Sequence, residues 1–159
     1  MVAAYAEGLS QLVSGDPFGA LVRFRRSRRM AAAFPMLESL ALLAIARAAV
    51  AAAVREAASA IGECISFSAQ RRYWFNAWLA VELLAIHWVN EGRTEEAAVL
   101  LGGVEAANIA IVVTAVERRA AVDIVAARPE LSVLLHRGVT MSRAELVAFA
   151  LERLEPAHT

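Results

Sequence analysis

Lysine is absent from this chain, and all 16 basic residues are arginine. A Gly-x-x-x-x-Gly-Lys-Ser/Thr phosphate loop therefore cannot form, because its lysine reaches the phosphates. Cysteine occurs once, at Cys64, which rules out an intrachain disulfide and fits a reducing compartment, so a cytoplasmic location is expected. Eight Gly and four Pro are too few for a collagen-like, low-complexity or many-turned all-β chain. Long hydrophobic runs are missing too. The longest charge-free stretch, Ala106 to Val116, has 11 residues against the roughly 20 of a membrane span, and the best apolar window, Leu37 to Val54, carries Glu38 and Arg47. The first residues, Met-Val-Ala-Ala-Tyr-Ala-Glu, have no basic region followed by an apolar one and do not read as a signal peptide. Net charge is zero, so no global field favours nucleic acid or an anionic membrane.

What the chain has in abundance is alanine, 36 of its 159 residues, within a hydrophobic fraction of 59%. Alanine is the best helix former, and an all-α domain of about nine helices is the expectation. The first helix runs from Val2 to Val13 and stops at Ser14-Gly15. Asp16 caps a second, with Pro17 at its first position, reaching about Ala33 before Phe34-Pro35. A third spans Met36 to about Ala53 and a fourth Arg55 to Ala69; no breaker separates them, and repeat spacing alone places their turn near Ala51 to Val54. The fifth, Tyr73 to Asn90, is apolar nearly all round, and Gly92 ends it. Thr94 opens a sixth that runs to about Ala107 despite the helix-weakening pair Gly102-Gly103. Asn108 to Val113 is a β-branched run without a clear assignment. Thr114 with Glu117 and Ser142 with Glu145 have capping-box spacing and open the seventh and ninth helices, while Pro129 starts a short eighth that Gly138 closes. A polar tail follows Leu154.

A small residue lies five positions past each of three turns, at Ala20, Ala57 and Ala97, with separations of 37 and 40. Periods of about 34 to 47 residues belong to helix-turn-helix solenoids, in which small residues let neighbouring helices approach. The turns Ser-Gly-Asp-Pro-Phe-Gly-Ala-Leu and Glu-Gly-Arg-Thr-Glu-Glu-Ala-Ala fit the tetratricopeptide type, and the middle one, without glycine, fits poorly. A single domain is expected, with three irregular helix pairs over 1–107 and capping helices over 114–154. The string Glu-Gly-Arg-Thr-Glu-Glu-Ala-Ala-Val-Leu-Leu-Gly-Gly-Val-Glu-Ala-Ala at 91–107 is followed by Arg-Gly-Val-Thr-Met-Ser-Arg-Ala-Glu-Leu-Val-Ala-Phe-Ala-Leu-Glu-Arg-Leu at 137–154. This resembles the end of the tetratricopeptide-like region of large actinobacterial ATP-binding regulators, both LuxR-type transcriptional regulators and cyclase-associated ATPases. The all-arginine basic set fits a GC-rich bacterial genome. The resemblance implies a sensor or scaffold part of a larger regulator, since no Walker A loop, cyclase domain or DNA-binding module accompanies it.

Three groups of residues are candidate sites. Trp74, Trp78 and Trp88 fall along one face of the fifth helix with Val81 and Ala85, which reads first as core and second as a groove gripping a peptide or small ligand. Glu82 lies about 40° from Trp78 on the same side. A carboxylate there needs an ion pair, with Arg47 or Arg55 as the cation, or it serves as a polar anchor in a ligand pocket. Arg23, Arg25, Arg26, Arg28 and Arg29 form the densest charge cluster. Leu21 and Phe24 anchor the opposite face of that helix, so a solvated face is the first reading, an acidic protein partner the second and nucleic acid the weakest, because no aromatics interleave to stack bases. His87, His136 and His158 are dispersed and not at metal-ligand spacing, so no metal or cofactor is expected. No nucleophile stands beside a base, and the chain reads as a non-enzymatic interaction or sensor module, with small-ligand sensing through the Trp-lined groove as the alternative. Leu9, Leu12, Val13, Phe18 and Val22 would form an uncovered apolar patch on the first helix pair, from which a homodimer is expected.

Overall fold

A computed structural model describes residues 1–107 and 115–154, and Asn108 to Val113, Thr114 and the tail beyond Leu154 lie outside them. Nine α-helices occur among the described residues: α1 Val2–Val13, α2 Pro17–Ala31, α3 Pro35–Ala51, α4 Ala57–Gln70, α5 Trp74–Asn90, α6 Thr94–Ala106, α7 Ala115–Ala126, α8 Ser132–Thr140 and α9 Arg143–Leu154. A single 3-10 turn, Pro129–Leu131, leads into α8. The chain is all-α, as its composition requires, and divides into two compact units, Met1–Ala80 and Val81–Thr159.

In the first unit α1 packs on α2, α2 on α3 and α3 on α4. Asp16 caps α2 as expected, its carboxylate accepting the Gly19 N–H at 2.9 Å, with Pro17 at the first helical position. Phe24 is fully buried beside Ala20 and Leu21, with Ala44, Ile45, Ala48, Ala49 and Ala57 in the same cluster. Gly8 permits this packing, since a Cβ there would stand 2.6 Å from the Phe24 ring. Ala20 and Ala57, the small residues of the repeat pattern, are both buried. The apolar patch of the first pair faces solvent at Leu9, Val13, Phe18 and Val22, while Leu12 is half-buried.

In the second unit α6 packs most extensively on α8. The reason corrects one sequence expectation. Gly138 does not close α8 but lies inside it, buried, where a Cβ would collide with the Val99 carbonyl. Gly102 meets the Leu135 carbonyl in the same way, and Gly103 faces the Leu146 side chain. The glycines that weaken α6 as an isolated helix let its backbone touch that of α8. At α9 the expected capping box forms in full: the Ser142 N–H donates to Glu145 at 2.7 Å and the Glu145 N–H to the Ser142 hydroxyl at 3.3 Å. These bonds hold the Glu145 carboxyl below its ordinary range.

The repeat is clearest in the backbone. Gly15, Ala53 and Gly92 follow α1, α3 and α5, and each has a left-handed φ of 82°, 49° and 80°. At each the same two hydrogen bonds close the helix: Asp16 to Gln11 and Gly15 to Leu12, Val54 to Ala49 and Ala53 to Val50, Arg93 to Trp88 and Gly92 to Val89. This is the Schellman arrangement, which satisfies carbonyls at a helix end. The middle turn therefore exists without its glycine, and Ala53 bears the steric cost of the left-handed conformation.

Relieving that cost should be measurable. Ala53→Gly is expected to stabilise the chain by about 1 kcal/mol, and Gly92→Ala to destabilise it by a similar amount. Nothing lies within 4 Å of a Cβ at Gly92, so the second effect is conformational rather than a clash. Denaturant unfolding of both variants checks this, and a neutral or destabilising Ala53→Gly would contradict the strain at the middle turn.

Candidate functional site

The three tryptophans of α5 have different surroundings. Trp78 and Trp88 are buried with Val81 and Ala85, as core residues would be, whereas Trp74 in the first turn is half-buried and lines an open hollow. Trp88 is fully enclosed, its indole N–H finds no acceptor among the described residues, and the Arg93 guanidinium stacks 4.3 Å from its ring. Arg93 also bonds Glu96 and the Arg153 carbonyl, which fastens the start of α6 to the end of α9.

Glu82 is fully buried, with 0% of its surface exposed. An ion pair accompanies it: Arg118 of α7 places its Nε 3.1 Å from Glu82 Oε1 and donates through its terminal nitrogen to Glu105 at 3.0 Å. The sequence points to Arg47 or Arg55 as the cation, and Arg118 is one it does not reveal, because nothing local to α7 marks that arginine as inward-facing. Glu105 also borders an apolar cleft of about 430 Å³ with Leu101, Val122, Val125, Leu135 and Val139.

The arginine cluster of α2 divides. Arg25, Arg26 and Arg29 are exposed, as a solvated face requires. Arg23 pairs with Glu7 at 3.3 Å. Arg28 is structural: it grips Glu63 of α4 through two nitrogens, at 3.1 and 2.5 Å, and Glu38 of α3 at 3.4 Å. Partial burial alone would lower the Arg28 pKa, but the two carboxylates outweigh it and hold the guanidinium above its ordinary range.

A groove that sequence spacing does not disclose crosses the first turns of α1, α3 and α5. One hollow, of about 180 Å³, lies among Val2, Tyr5, Ser27, Leu37 and Leu40. A second, of about 500 Å³, is bordered by Met36, Leu40, Arg72, Tyr73, Trp74, Phe75 and Asn76. They share Leu40 of α3 as a common wall. Its walls are apolar and unusually accessible, with Met36 59% and Phe75 60% exposed. Arg72, at the rim, is a non-glycine residue with φ of 60° in the Schellman turn after α4, where Tyr73 bonds Ser68 and Arg72 bonds Ala69.

Beneath the groove runs a buried polar chain. Asn76 donates to the Ser39 hydroxyl at 2.8 Å, Ser39 meets Ser68 at 2.8 Å, and Cys64 lies 4.0 Å from Ser68. Burial pushes the Cys64 thiol up to about 12, against the opposing pull of the Ser68 hydrogen bond, so it stays protonated at neutral pH. No group of three or more His, Cys, Asp or Glu side chains able to hold a metal occurs among the described residues, and no described helix is long and apolar enough to cross a membrane.

The buried ion pair carries a stability prediction. Glu82→Ala leaves Arg118 partly buried against Glu105 alone and is expected to cost about 3–5 kcal/mol, whereas removing the exposed partner, Glu105→Ala, should cost under about 1 kcal/mol. Chemical unfolding of the two variants tests the contrast, and equal losses would contradict the burial of Glu82.

Compared with protein-family models, curated proteins and solved structures, the chain matches none.

Proposed function

We propose that the chain is a non-enzymatic interaction or sensor module of the tetratricopeptide-like kind, serving a larger bacterial regulator, and that it captures a partner protein in the groove over α1, α3 and α5. The observation carrying this reading is the groove itself: two apolar hollows on either side of Leu40 whose Met36 and Phe75 side chains lie open to solvent. Accessible apolar surface of this kind is costly unless a partner covers it, and methionine and aromatic side chains adapt well to another protein's surface. Small-ligand sensing, the alternative raised by the tryptophan stripe, is less well supported. Small-molecule sites enclose most of their ligand, whereas Trp78 and Trp88 are core and the groove is open.

Affinity purification of the full chain from its source organism, quantified by mass spectrometry, tests the reading. A partner held by the wild type should fall at least tenfold with Phe75→Glu and persist with Val133→Glu, an exposed apolar position of α8. Equal retention by both variants would overturn the groove as the docking face.

A further inference from the structure

We propose that the outer face of α2 docks on an anionic phospholipid membrane, with Phe18, Val22 and Met30 entering the acyl boundary and Arg25, Arg26 and Arg29 meeting lipid phosphates. This is attachment to a membrane surface, and it does not rest on the groove. Ser27, the α2 residue that borders the smaller hollow, is buried and stands about 180° around the helix from Phe18.

The make-up of the face is the first observation. Six residues of α2 are exposed: Phe18, Val22, Arg25, Arg26, Arg29 and Met30. At 100° per residue they fall within an arc of about 140°, spread along about 18 Å of helix. Three are large apolar side chains, 62%, 64% and 52% exposed, and the other three are arginines. No acidic or neutral polar side chain stands among them. A helix face meant only for water carries charged and polar groups, so arginine alone would be explained by solvation. Bulky apolar side chains set between the arginines are not.

Charge is the second observation. Arg25, Arg26 and Arg29 have no acidic partner among the described residues, and the nearby acids are engaged elsewhere. Glu7 pairs with Arg23, Glu38 and Glu63 with Arg28, and Asp16 caps the helix. Residues 1–80 carry nine Arg against five Asp and Glu, an excess of four positive charges hidden by the neutral total. Arg25 and Arg29, one helical turn apart, border a hollow of about 400 Å³ with Arg28, Ala32 and Glu38, whose carboxylate Arg28 holds. A guanidinium binds phosphate through two parallel hydrogen bonds, and the hollow offers two unpaired ones to a lipid headgroup.

The two observations together select a bilayer. Nucleic acid presents phosphates and no apolar phase, which would leave Phe18, Val22 and Met30 in water. A protein partner must supply a matching pocket for each apolar side chain and an acid for each arginine. An anionic membrane surface supplies both at every point, phosphates outermost and acyl chains just below, and arginine spans that boundary with its aliphatic stem buried and its head among the phosphates.

Sedimentation of the full chain with vesicles tests the proposal. Partitioning onto phosphatidylglycerol and phosphatidylcholine in equal parts should exceed that onto pure phosphatidylcholine at least tenfold. The double variants Arg25→Gln with Arg29→Gln, and Phe18→Ser with Val22→Ser, should each lower it at least tenfold while their circular dichroism stays that of the wild type. Phe75→Glu, in the groove, should change it less than threefold. A nitrobenzoxadiazole dye on Val22→Cys should shift to the blue on the anionic vesicles, and the same dye on Val133→Cys of α8 should not; Cys64 is buried and does not take the label. Equal partitioning onto both vesicles, binding that survives either double variant, or a dye at position 22 that stays in water would overturn the proposal. So would retention on heparin or polyaspartate without vesicle binding, which assigns the arginines to a soluble polyanion.

Discussion

Close approach of helix backbones is the constraint on which the structure depends. A chain with 36 alanines has few large side chains to spend on its interfaces, so its helices must come near enough for small residues to fill the space between them. In the second unit the approach reaches backbone contact, with Gly102 against the Leu135 carbonyl and Gly138 against that of Val99. In the first, Gly8 receives the ring of Phe24, and Ala20 and Ala57 are buried at the positions of the repeat. Dispersion contacts at such distances replace the volume a leucine-rich core would supply.

The same constraint shapes the candidate site. Where the first turns of α1, α3 and α5 border the groove, larger side chains take over, and Tyr5 and Leu40 line one hollow and Met36, Leu40, Trp74 and Phe75 another, neither of them closed. The polar groups beneath are arranged for rigidity. Asn76, Ser39 and Ser68 form a buried chain, and Arg28 ties α2 to α3 and α4 through Glu38 and Glu63. Fixed polar groups therefore lie under an exposed apolar wall.

Much of this was legible in the sequence, and what was not has physical causes. The helix ends at Gly15 and Gly92, the Asp16 cap and the Ser142 to Glu145 box are local events, governed by residues within a few positions of one another. The middle turn lacked its glycine, yet repeat spacing located it near Ala53, because the periodicity of helix pairs outlasts the loss of one favourable residue. Gly138 was misread as a terminator because glycine at a helix end and glycine at a helix crossing look alike without the opposing backbone. Glu82 declared its need for a cation through its place on an apolar face, but its pairing with Arg118 is tertiary, and no spacing rule reports it. The groove escaped for the same reason: Leu40 comes beside Val2 in one hollow and beside Phe75 in the other only when the helices are assembled.

α5 is core along most of its length and opens at its first turn, through Trp74, into the apolar hollow. Fluorine NMR of the full chain labelled with 5-fluorotryptophan addresses that division directly, because the protein contains three tryptophans and each gives its own resonance. With a soluble paramagnetic agent in the solvent, one resonance should broaden, the one that disappears in Trp74→Phe, while those of Trp78 and Trp88 stay sharp. Broadening of either buried tryptophan, or protection of all three, would contradict the placement of the groove.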